Sequence, residues 1–249
     1  GIAYRREARS TPRPLMIHLV TVDLTAPGVE VLVTPGSPGA DNLEVVARTT
    51  AEFLQEFKLQ LAINASFFFP FRENTPWDFS PRSGERANVL GQAISDGAIY
   101  SKPNGNWPAL CLRDREAAIV ASGLCPFGTQ QAVAGSHILV SEGQAVKRKA
   151  QDKDNIEPYS RMAVGIDRSG QRLWLVAIDD KQPFYSEGVT LSELSQMMEQ
   201  FGIQDALNLD GGGSTTLVIA DPKGRAVALN APMHVKLPMR QRPVANHLG

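Results

Sequence analysis

A run of three glycines between two apolar segments is the feature that most constrains this fold. Residues 207–218 read Leu-Asn-Leu-Asp-Gly-Gly-Gly-Ser-Thr-Thr-Leu-Val, and both flanks have the apolar character of strands. Three consecutive glycines lose much conformational entropy on folding, and an ordinary turn has no use for so many. The run therefore predicts two strands joined by a turn in which something requires bare backbone.

The same turn has the composition of an anion site. Successive glycine N–H groups can turn toward one point, and neighbouring hydroxyls can add donors. A carboxylate at the end of the first strand would lie next to that point. The alternative is a tight turn in which the carboxylate is only a cap. The residues concerned are Asp210, Gly211, Gly212, Gly213, Ser214 and Thr215.

Composition limits the partners. With 249 residues and 43% hydrophobic content the chain can bury a large core, so we expect one domain, residues 1–249, with residues 1–14 as an extended N-terminal arm. The net charge of −1 predicts no nucleic-acid partner. No apolar run approaches the roughly 18 residues of a membrane span, and no signal-peptide core follows the N-terminal arginines. The composition therefore favours a small or locally charged partner, and the sequence leaves the oligomeric state open.

Two cysteines, Cys111 and Cys125, bear on the compartment. They could pair across a loop outside the cytoplasm or remain buried thiols within it. No closely spaced second cysteine or histidine completes a tetrahedral zinc set. Cys111 and Cys125 are thus disulfide candidates, and we expect an extracytoplasmic protein, secreted or periplasmic, in a mature or trimmed form.

In the first half of the chain, apolar patterning predicts strands and one helix. Residues 16–24 and 29–34 are β-branched runs around a Pro-Gly turn and predict an opening hairpin. Helical spacing of apolar residues predicts a helix over 43–57. Residues 61–69 predict a strand that runs into an aromatic turn, and 70–86 a long surface loop of the kind that often forms a binding wall.

The second half is more clearly patterned. Residues 132–140 predict a strand-turn unit, and 162–167 with 173–179 a hairpin of buried strands. Thr190 and Glu193 fit a capping box, so a helix is expected from there to Gly202. Strands in hairpins with two intervening helices predict an α+β fold, a mixed, largely antiparallel sheet with a few packed helices in a single domain.

Five segments together resemble the phosphodiester glycosidase family. They are residues 63–68 (Ile-Asn-Ala-Ser-Phe-Phe), 131–135 (Gln-Ala-Val-Ala-Gly), 160–165 (Ser-Arg-Met-Ala-Val-Gly), 188–194 (Gly-Val-Thr-Leu-Ser-Glu-Leu) and 208–215 (Asn-Leu-Asp-Gly-Gly-Gly-Ser-Thr). The resemblance covers most of the chain, and the last segment is highly specific. It implies a hydrolase that cleaves the glycosidic C–O bond of a sugar-1-phosphodiester with an N-acetylglucosamine-like sugar. A bacterial envelope setting is expected, and the sequence leaves open whether the substrate is a wall polymer, a capsule unit or a small nucleotide-sugar fragment. No cofactor is required, although a divalent cation, Ca²⁺ or Mg²⁺, could assist.

Three positions depart from the family pattern. Ser66 stands where the family has Gly, Met162 replaces the common Thr, and residues 179–181 read Asp-Asp-Lys in place of Asp-Gly-Arg. Lysine lacks the planar guanidinium that binds phosphate through two parallel hydrogen bonds. The departures therefore affect the identity of the substrate more than the reaction class.

Chemistry assigns roles to the residues. Cleavage between C1 and oxygen releases a phosphomonoester with a second pKa near 6, which leaves without full protonation. Such a site needs cations and N–H donors, so Arg161 is the candidate phosphate clamp and the amides of Gly211, Gly212 and Gly213 the anion cradle. Asp210 would be the base for water or the carboxylate nucleophile.

Four further residues each have a functional and a structural interpretation. Asn64 could bind a sugar hydroxyl or phosphate, or cap the turn that follows it. His137 could bind substrate or be a satisfied core histidine. Asp179 could hold Arg161, supply a second carboxylate, or form a structural ion pair. Lys181 could bind phosphate or be a loop charge.

Two other functions fit parts of the sequence. In a metal-dependent phosphodiesterase, Asp179, Asp180 and Asp210 would hold a divalent cation and the enzyme would cut P–O bonds. A non-catalytic carbohydrate or envelope-binding module would keep the fold without the chemistry. A carboxylate beside an anion site favours catalysis over the module.

Overall fold

The largest sheet carries most of the candidate residues. The computed structural model describes residues 1–37, 39–149 and 157–249. The sheet has seven antiparallel strands. In spatial order they are β1 (Ile2–Arg9), β2 (Leu15–Asp23), β17 (Arg172–Ile178), β16 (Arg161–Ile166), β18 (Asp205–Asn208), β14 (His137–Ser141) and β15 (Gln144–Ala145).

Two other sheets pack against one face of this sheet, and both are antiparallel. The five-stranded sheet contains β10 (Ala98–Ser101), β9 (Ala93–Ser95), β13 (Gln131–Ala134), β11 (Ala109–Arg113) and β12 (Glu116–Val120). The four-stranded sheet contains β20 (Ala226–Ala228), β19 (Leu217–Ala220), β4 (Leu61–Asn64) and β23 (His247–Leu248).

Short strands complete the molecule around the long loop and the C-terminal segment. One group pairs β3 (Val45–Val46), β8 (Arg86–Val89) and β5 (Phe68–Phe69). The two remaining pairs are β6 (Arg72–Glu73) with β7 (Phe79–Ser80), and β21 (Met233–His234) with β22 (Leu237–Pro238).

The seven-stranded sheet is buried on both faces. In β17, Leu173 and Leu175 enter the core shared with the other sheets, whereas Trp174 and Val176 enter the core on the opposite face. Side chains alternate faces along a strand, so burial of both faces makes the whole strand apolar. This explains the continuous hydrophobic run over 173–178.

Two α-helices lie in the described residues. Helix α2 (Leu191–Gln200) covers the outer face of the large sheet through Leu191, Leu194 and Met198. Its predicted capping box is confirmed, because the Thr190 side chain accepts from the Glu193 N–H. Helix α1 (Thr50–Glu56) packs Phe53 and Leu54 against the four-stranded sheet.

The fold class is confirmed in its coarse form, and the molecule is richer in β-structure than expected. The core is largely antiparallel sheet, and the predicted hairpin of β16 and β17 is present. The helix expected over 43–57 is shorter, because Val45 and Val46 pair with β8 and Thr49 caps the helix instead.

Two strand predictions are corrected. The opening hairpin does not form, because β2 pairs with β1 and β17, while Val33 makes only an isolated bridge to Leu248. The N-terminal residues 2–9 thus form an edge strand. The unit predicted over 132–140 is divided between two sheets, with a break at Gly135, where a side chain would overlap the Asn208 carbonyl.

Cys111 and Cys125 form a disulfide, with a Cα–Cα distance of 5.7 Å. The bond links β11 to the segment that precedes β13 within the five-stranded sheet. Within the described part of the chain, none of the helices has the length and apolar character needed to cross a membrane.

Candidate active site

Antiparallel pairing brings four candidate residues to one edge of the large sheet. Strand β16 begins at Arg161 opposite the last residue of β17, and β18 ends at Asn208 opposite His137, the first residue of β14. Asp179 follows β17 directly, and Asp210 follows β18 by two residues. Residues far apart in sequence therefore meet at one edge.

Asp210 is buried, with 8% of its surface exposed. Burial raises the pKa of its carboxyl to about 6, because removal from water disfavours the charged form. A hydrogen bond from the Ser214 hydroxyl, the positive charge of Arg242 and the Gly211 N–H oppose this rise. The carboxyl is thus poised to change its charge near neutral pH.

Arg242 connects the glycine turn to the long loop. Its Nη1 donates to Ser214 Oγ over 3.1 Å, and its Nε donates to His234 Nδ1 over 3.3 Å. The guanidinium also pairs with Glu73 and lies 4.8 Å from the ring centroid of Phe71. Burial and the charge of Arg242 lower the pKa of His234 to about 4, so this histidine is neutral at pH 7.

At each of the three glycine positions a side chain is disfavoured for a different steric reason. A Cβ on Gly211 would lie 2.7 Å from the Ser160 carbonyl oxygen, and one on Gly213 would overlap the guanidinium of Arg242. Gly212 has φ +60°, a left-handed conformation that side chains disfavour. Bare backbone is thus required because the turn is pressed between β16 and Arg242.

Two of the three glycine amides expected to form the cradle donate to the protein itself. The Gly212 N–H donates to the Ser160 carbonyl over 2.9 Å, and the Gly211 N–H donates to the Asp210 carboxylate. Ser160 Oγ also donates to the Gly212 carbonyl over 2.8 Å. The turn uses these groups to attach itself to β16, so they point at protein acceptors.

Asn64 holds both ends of the same turn. Its Nδ2 donates to the Asp210 carbonyl over 2.7 Å, and its Oδ1 accepts from the Thr216 N–H over 3.0 Å. The residue has no exposed surface. Asn64 is therefore placed to position the Asp210 backbone and not to contact a ligand, because its amide is enclosed by the turn.

Asp179 is a structural acceptor and not an ion-pair partner of Arg161. Its carboxylate accepts from His18 Nε2 over 3.1 Å, Asn230 Nδ2 over 3.0 Å and the Ala231 N–H over 3.0 Å. The Tyr185 hydroxyl adds a fourth donor at 3.2 Å. Only 1% of Asp179 is exposed, so its carboxylate is enclosed by these donors.

Asp179 reaches the glycine turn through Asn230. The Asn230 Nδ2 that contacts Asp179 also donates to the Thr215 carbonyl over 3.0 Å. Asn230 Oδ1 accepts from the Leu217 N–H over 2.8 Å, at the start of the next strand. The turn is therefore fixed from one side by Asn64 and from the other by Asn230.

Two predicted phosphate ligands flank one aromatic ring. The guanidinium of Arg161 lies 5.6 Å from the ring centroid of Tyr159, and the ammonium of Lys181 lies 5.4 Å from it. Arg161 is buried and its Nε donates to the Val189 carbonyl over 3.2 Å, whereas Lys181 is exposed. The pair places two cations beside Ser160, to which the glycine turn is attached.

His137 lies at the same sheet edge and is half-buried. Its Nδ1 lies 2.9 Å from Ser136 Oγ, which also accepts from Asn208 Nδ2 over 2.9 Å. The ring is thus connected to the strand that delivers Asp210. Among the described residues, the carboxylates of Asp179, Asp180 and Asp210 are not gathered into a group of three or more metal ligands.

The sequence model of the phosphodiester glycosidase family matches residues 57–249, which include every element of this site. The chain belongs to the phosphodiester glycosidase family. A mouse relative, named N-acetylglucosamine-1-phosphodiester alpha-N-acetylglucosaminidase, is 29% identical over 150 residues, 52% of this chain and 28% of the relative. The chain spans between 28% and 37% of the length of the curated relatives it matches.

Solved structures share the fold. A protein of unassigned function from Synechocystis matches with a TM-score of 0.71 and 16% identity, over 100% of this chain and 62% of that one. The zebrafish N-acetylglucosamine-1-phosphodiester alpha-N-acetylglucosaminidase catalytic domain, auto-inhibited by its pro-peptide, matches with a TM-score of 0.65 and 20% identity. That match covers 100% of this chain and 81% of the zebrafish chain.

The structure gives a local role to one departure from the family pattern. Ser66 Oγ accepts from the Ala134 N–H over 2.9 Å and from Asn246 Nδ2 over 3.3 Å. The hydroxyl thereby links two of the family segments, residues 63–68 and 131–135. Serine at this position therefore adds a connection near the site and leaves the phosphodiester glycosidase fold intact.

Sequence patterns missed Arg242, His234 and Glu73. These residues contact Ser214 or one another and lie in the C-terminal segment and the long loop, neither of which has a regular period. The available signal was chemical: His234 is one of only four histidines, and Arg242 follows Arg240 in a segment rich in proline.

Proposed function

We propose that this phosphodiester glycosidase hydrolyses the glycosidic C–O bond of a sugar-1-phosphodiester, with an N-acetylglucosamine-like sugar, to a free sugar and a phosphomonoester. The observation that carries the proposal is the buried Asp210 carboxyl beside the Ser214 hydroxyl and the Arg242 guanidinium. The family membership and the name of the mouse relative support the sugar class.

In this reaction the ionised Asp210 acts on the sugar side of the bond. As a base it takes a proton from water while the water oxygen bonds to C1; as a nucleophile it bonds to C1 and water later releases the sugar. In either case the C1–O electron pair leaves with the phosphate. Ser214 and Arg242 hold the carboxylate in its orientation throughout.

Two cationic side chains stabilise the phosphate group that leaves when the bond is cleaved. The departing phosphomonoester gains a negative charge, and Arg161 and Lys181 lie on the β16 side of the glycine turn to balance it. His137 lies at the same edge to bind a substrate oxygen. A protein outside the cytoplasm is the setting that fits the Cys111–Cys125 disulfide.

The test is to incubate the protein with UDP-N-acetylglucosamine and with a simple N-acetylglucosamine-1-phosphodiester in ¹⁸O-labelled water. Products are identified by mass spectrometry, with and without a chelator, and Asp210→Asn serves as the inactive control. Label in the released sugar supports glycosidic cleavage. Label in phosphate would replace the proposal with P–O cleavage, which loss of activity with chelator would show to be metal-dependent. Loss of activity with chelator and label in the sugar would mean that a cation assists glycosidic cleavage. No product from either compound would contradict the proposed substrate.

A further inference from the structure

A cavity lies under the long loop, next to the cluster formed by Arg242, His234 and Glu73. It has a volume of about 480 Å³ and is lined by side chains of that loop and of the C-terminal segment, among them Trp77, Phe79, Arg82, Ser83 and Arg240. Two guanidinium groups are present in the lining and no carboxylate is. The lining side chains therefore carry positive charge, while the adjoining carboxylates of Glu52 and Glu85 accept from the Ser83 hydroxyl and the Arg82 N–H.

Both arginines are held in place but not neutralised. The guanidinium carbons of Arg240 and Arg82 lie 5.0 and 5.5 Å from the ring centroid of Phe79. Arg240 donates to the Pro76 carbonyl over 3.2 Å, and Arg82 to the Trp77 carbonyl over 2.7 Å. Neither forms a salt bridge with any residue that the structure describes. The charge of Arg82 also acts on the neighbouring Glu85 carboxylate and helps to lower its pKa, so Arg240 is the less compensated of the two cations.

Trp77 supplies a surface of a different kind. With 81% of its surface exposed, Trp77 is largely open to solvent. Exposed indoles beside cations provide a flat apolar face against which a sugar ring can pack while the charges bind an anion. The cavity therefore combines the two requirements of an acidic glycan.

A short chain of contacts joins the cavity to Asp210. The Phe79 ring meets His234 edge-on, with centroids 4.7 Å apart. His234 contacts Arg242, and Arg242 contacts Ser214 beside Asp210. Three side chains, those of His234, Arg242 and Ser214, therefore connect the cavity lining to Asp210.

We infer that this cavity is a subsite for an anionic glycan chain, specifically for a sugar phosphate unit of a chain that is cleaved at Asp210. The inference rests on the proposed function for the cleavage at Asp210 but not for its binding chemistry. Arg82 and Arg240 bind the phosphate, and Trp77 packs against the sugar. The substrate is accordingly a repeating sugar-phosphodiester and not a single capped sugar.

Binding can be measured apart from catalysis. The full chain carrying Asp210→Asn is titrated calorimetrically with a tetramer of N-acetylglucosamine units joined by phosphodiester bonds, and with neutral chitotetraose. We expect the charged tetramer to bind at least tenfold more tightly than the neutral one. The double variant Arg82→Gln with Arg240→Gln should lose this tenfold difference in affinity. Trp77→Ala should weaken binding severalfold. The matched control is Arg172→Gln, an arginine stacked 5.8 Å over Trp174 at the opposite edge of the large sheet.

The outcomes separate the two proposals. Equal binding of the neutral and charged tetramers, or no loss in the double arginine variant, overturns the subsite even when UDP-N-acetylglucosamine is hydrolysed. The subsite is also overturned if the double arginine variant loses no more affinity for the charged tetramer than Arg172→Gln does. Arginine-dependent binding of the charged tetramer without its hydrolysis by the parent protein supports the subsite and contradicts the proposed reaction.

Discussion

At the residue scale, Asp210 shows how burial prepares a carboxylate. Desolvation raises its pKa to about 6, whereas Ser214 and Arg242 keep it from rising further. A carboxyl with this pKa binds a proton in the folded state over a range where the unfolded chain has lost it. At neutral pH the buried Asp210 carboxylate is ionised, and its burial therefore lowers the free energy of unfolding.

Asp210→Asn is expected to abolish turnover and to stabilise the fold at high pH. Because the folded pKa is raised from 3.8 to about 6, the parent loses stability as pH rises between these values. The variant lacks this loss and should gain about 1–3 kcal/mol in free energy of unfolding at pH 8 but little at pH 4. Urea denaturation at both pH values measures the difference. Activity within about threefold of the parent, under roughly 0.7 kcal/mol in barrier terms, would remove Asp210 from the catalytic role.

The pH dependence of catalysis gives a second residue-scale prediction. If ionised Asp210 acts as base or nucleophile, kcat/KM should rise about tenfold per pH unit up to about pH 6 and then level off. Rates on a sugar-1-phosphodiester from pH 4.5 to 8 test this, with the circular dichroism spectrum checked at each pH. If kcat/KM instead falls with rising pH near pH 6, Asp210 acts as a general acid.

At the element scale, the glycine turn depends on its contact with β16. The turn is attached through hydrogen bonds to Ser160, Asn64 and Asn230. Such attachments fix where Asp210 lies relative to Arg161 at the start of β16. Precision at this site thus comes from the strand edge and not from the turn itself.

Gly211→Ala is expected to reduce activity at least tenfold while the protein still folds. The new Cβ would lie 2.7 Å from the Ser160 carbonyl, so the turn must move away from β16 and carry Asp210 with it. The matched control is Gly105→Ala, which has open space around the new Cβ. Activity and melting temperature of both variants are compared with the parent. Unchanged activity in Gly211→Ala would show that the turn tolerates the shift.

Local signals predicted some elements and not others. Helix α2 was predictable because its cap, apolar face and terminal glycine are adjacent in sequence. The hairpin expected from residues 16–24 and 29–34 was wrong because β2 found partners at residues 2–9 and 172–178. Strand identity is a local property, whereas the choice of partner depends on burial across the whole sheet.

At the scale of the whole molecule, sheets from both halves of the chain enclose one core. Leu61 and Ile63 from the first half pack with Val164, Leu175 and Leu207 from the second. The site forms where the strands of that core end. The fold and the site are therefore produced by the same long-range pairing.

The disulfide is expected to contribute about 3 kcal/mol to the free energy of unfolding. It closes a loop between Cys111 and Cys125, 14 residues apart, and restricts the unfolded chain accordingly. Urea denaturation with and without reductant measures the loss. The double variant Cys111→Ser with Cys125→Ser should match the reduced parent and not respond to reductant. A difference below about 0.5 kcal/mol would show that the loop is held by packing alone.

The sequence alone determined the strand–glycine–strand unit, the hairpin of β16 and β17, helix α2 and the residues of the glycine turn, because each depends on neighbours in the chain. It also pointed to the family, which the match to residues 57–249 confirms. Only the tertiary structure decided that Asn64 and Asp179 are enclosed by the fold, and that Arg242, His234 and Glu73 reach the site. Such roles depend on contacts between distant segments, and burial sets the charge of each group only after those segments meet.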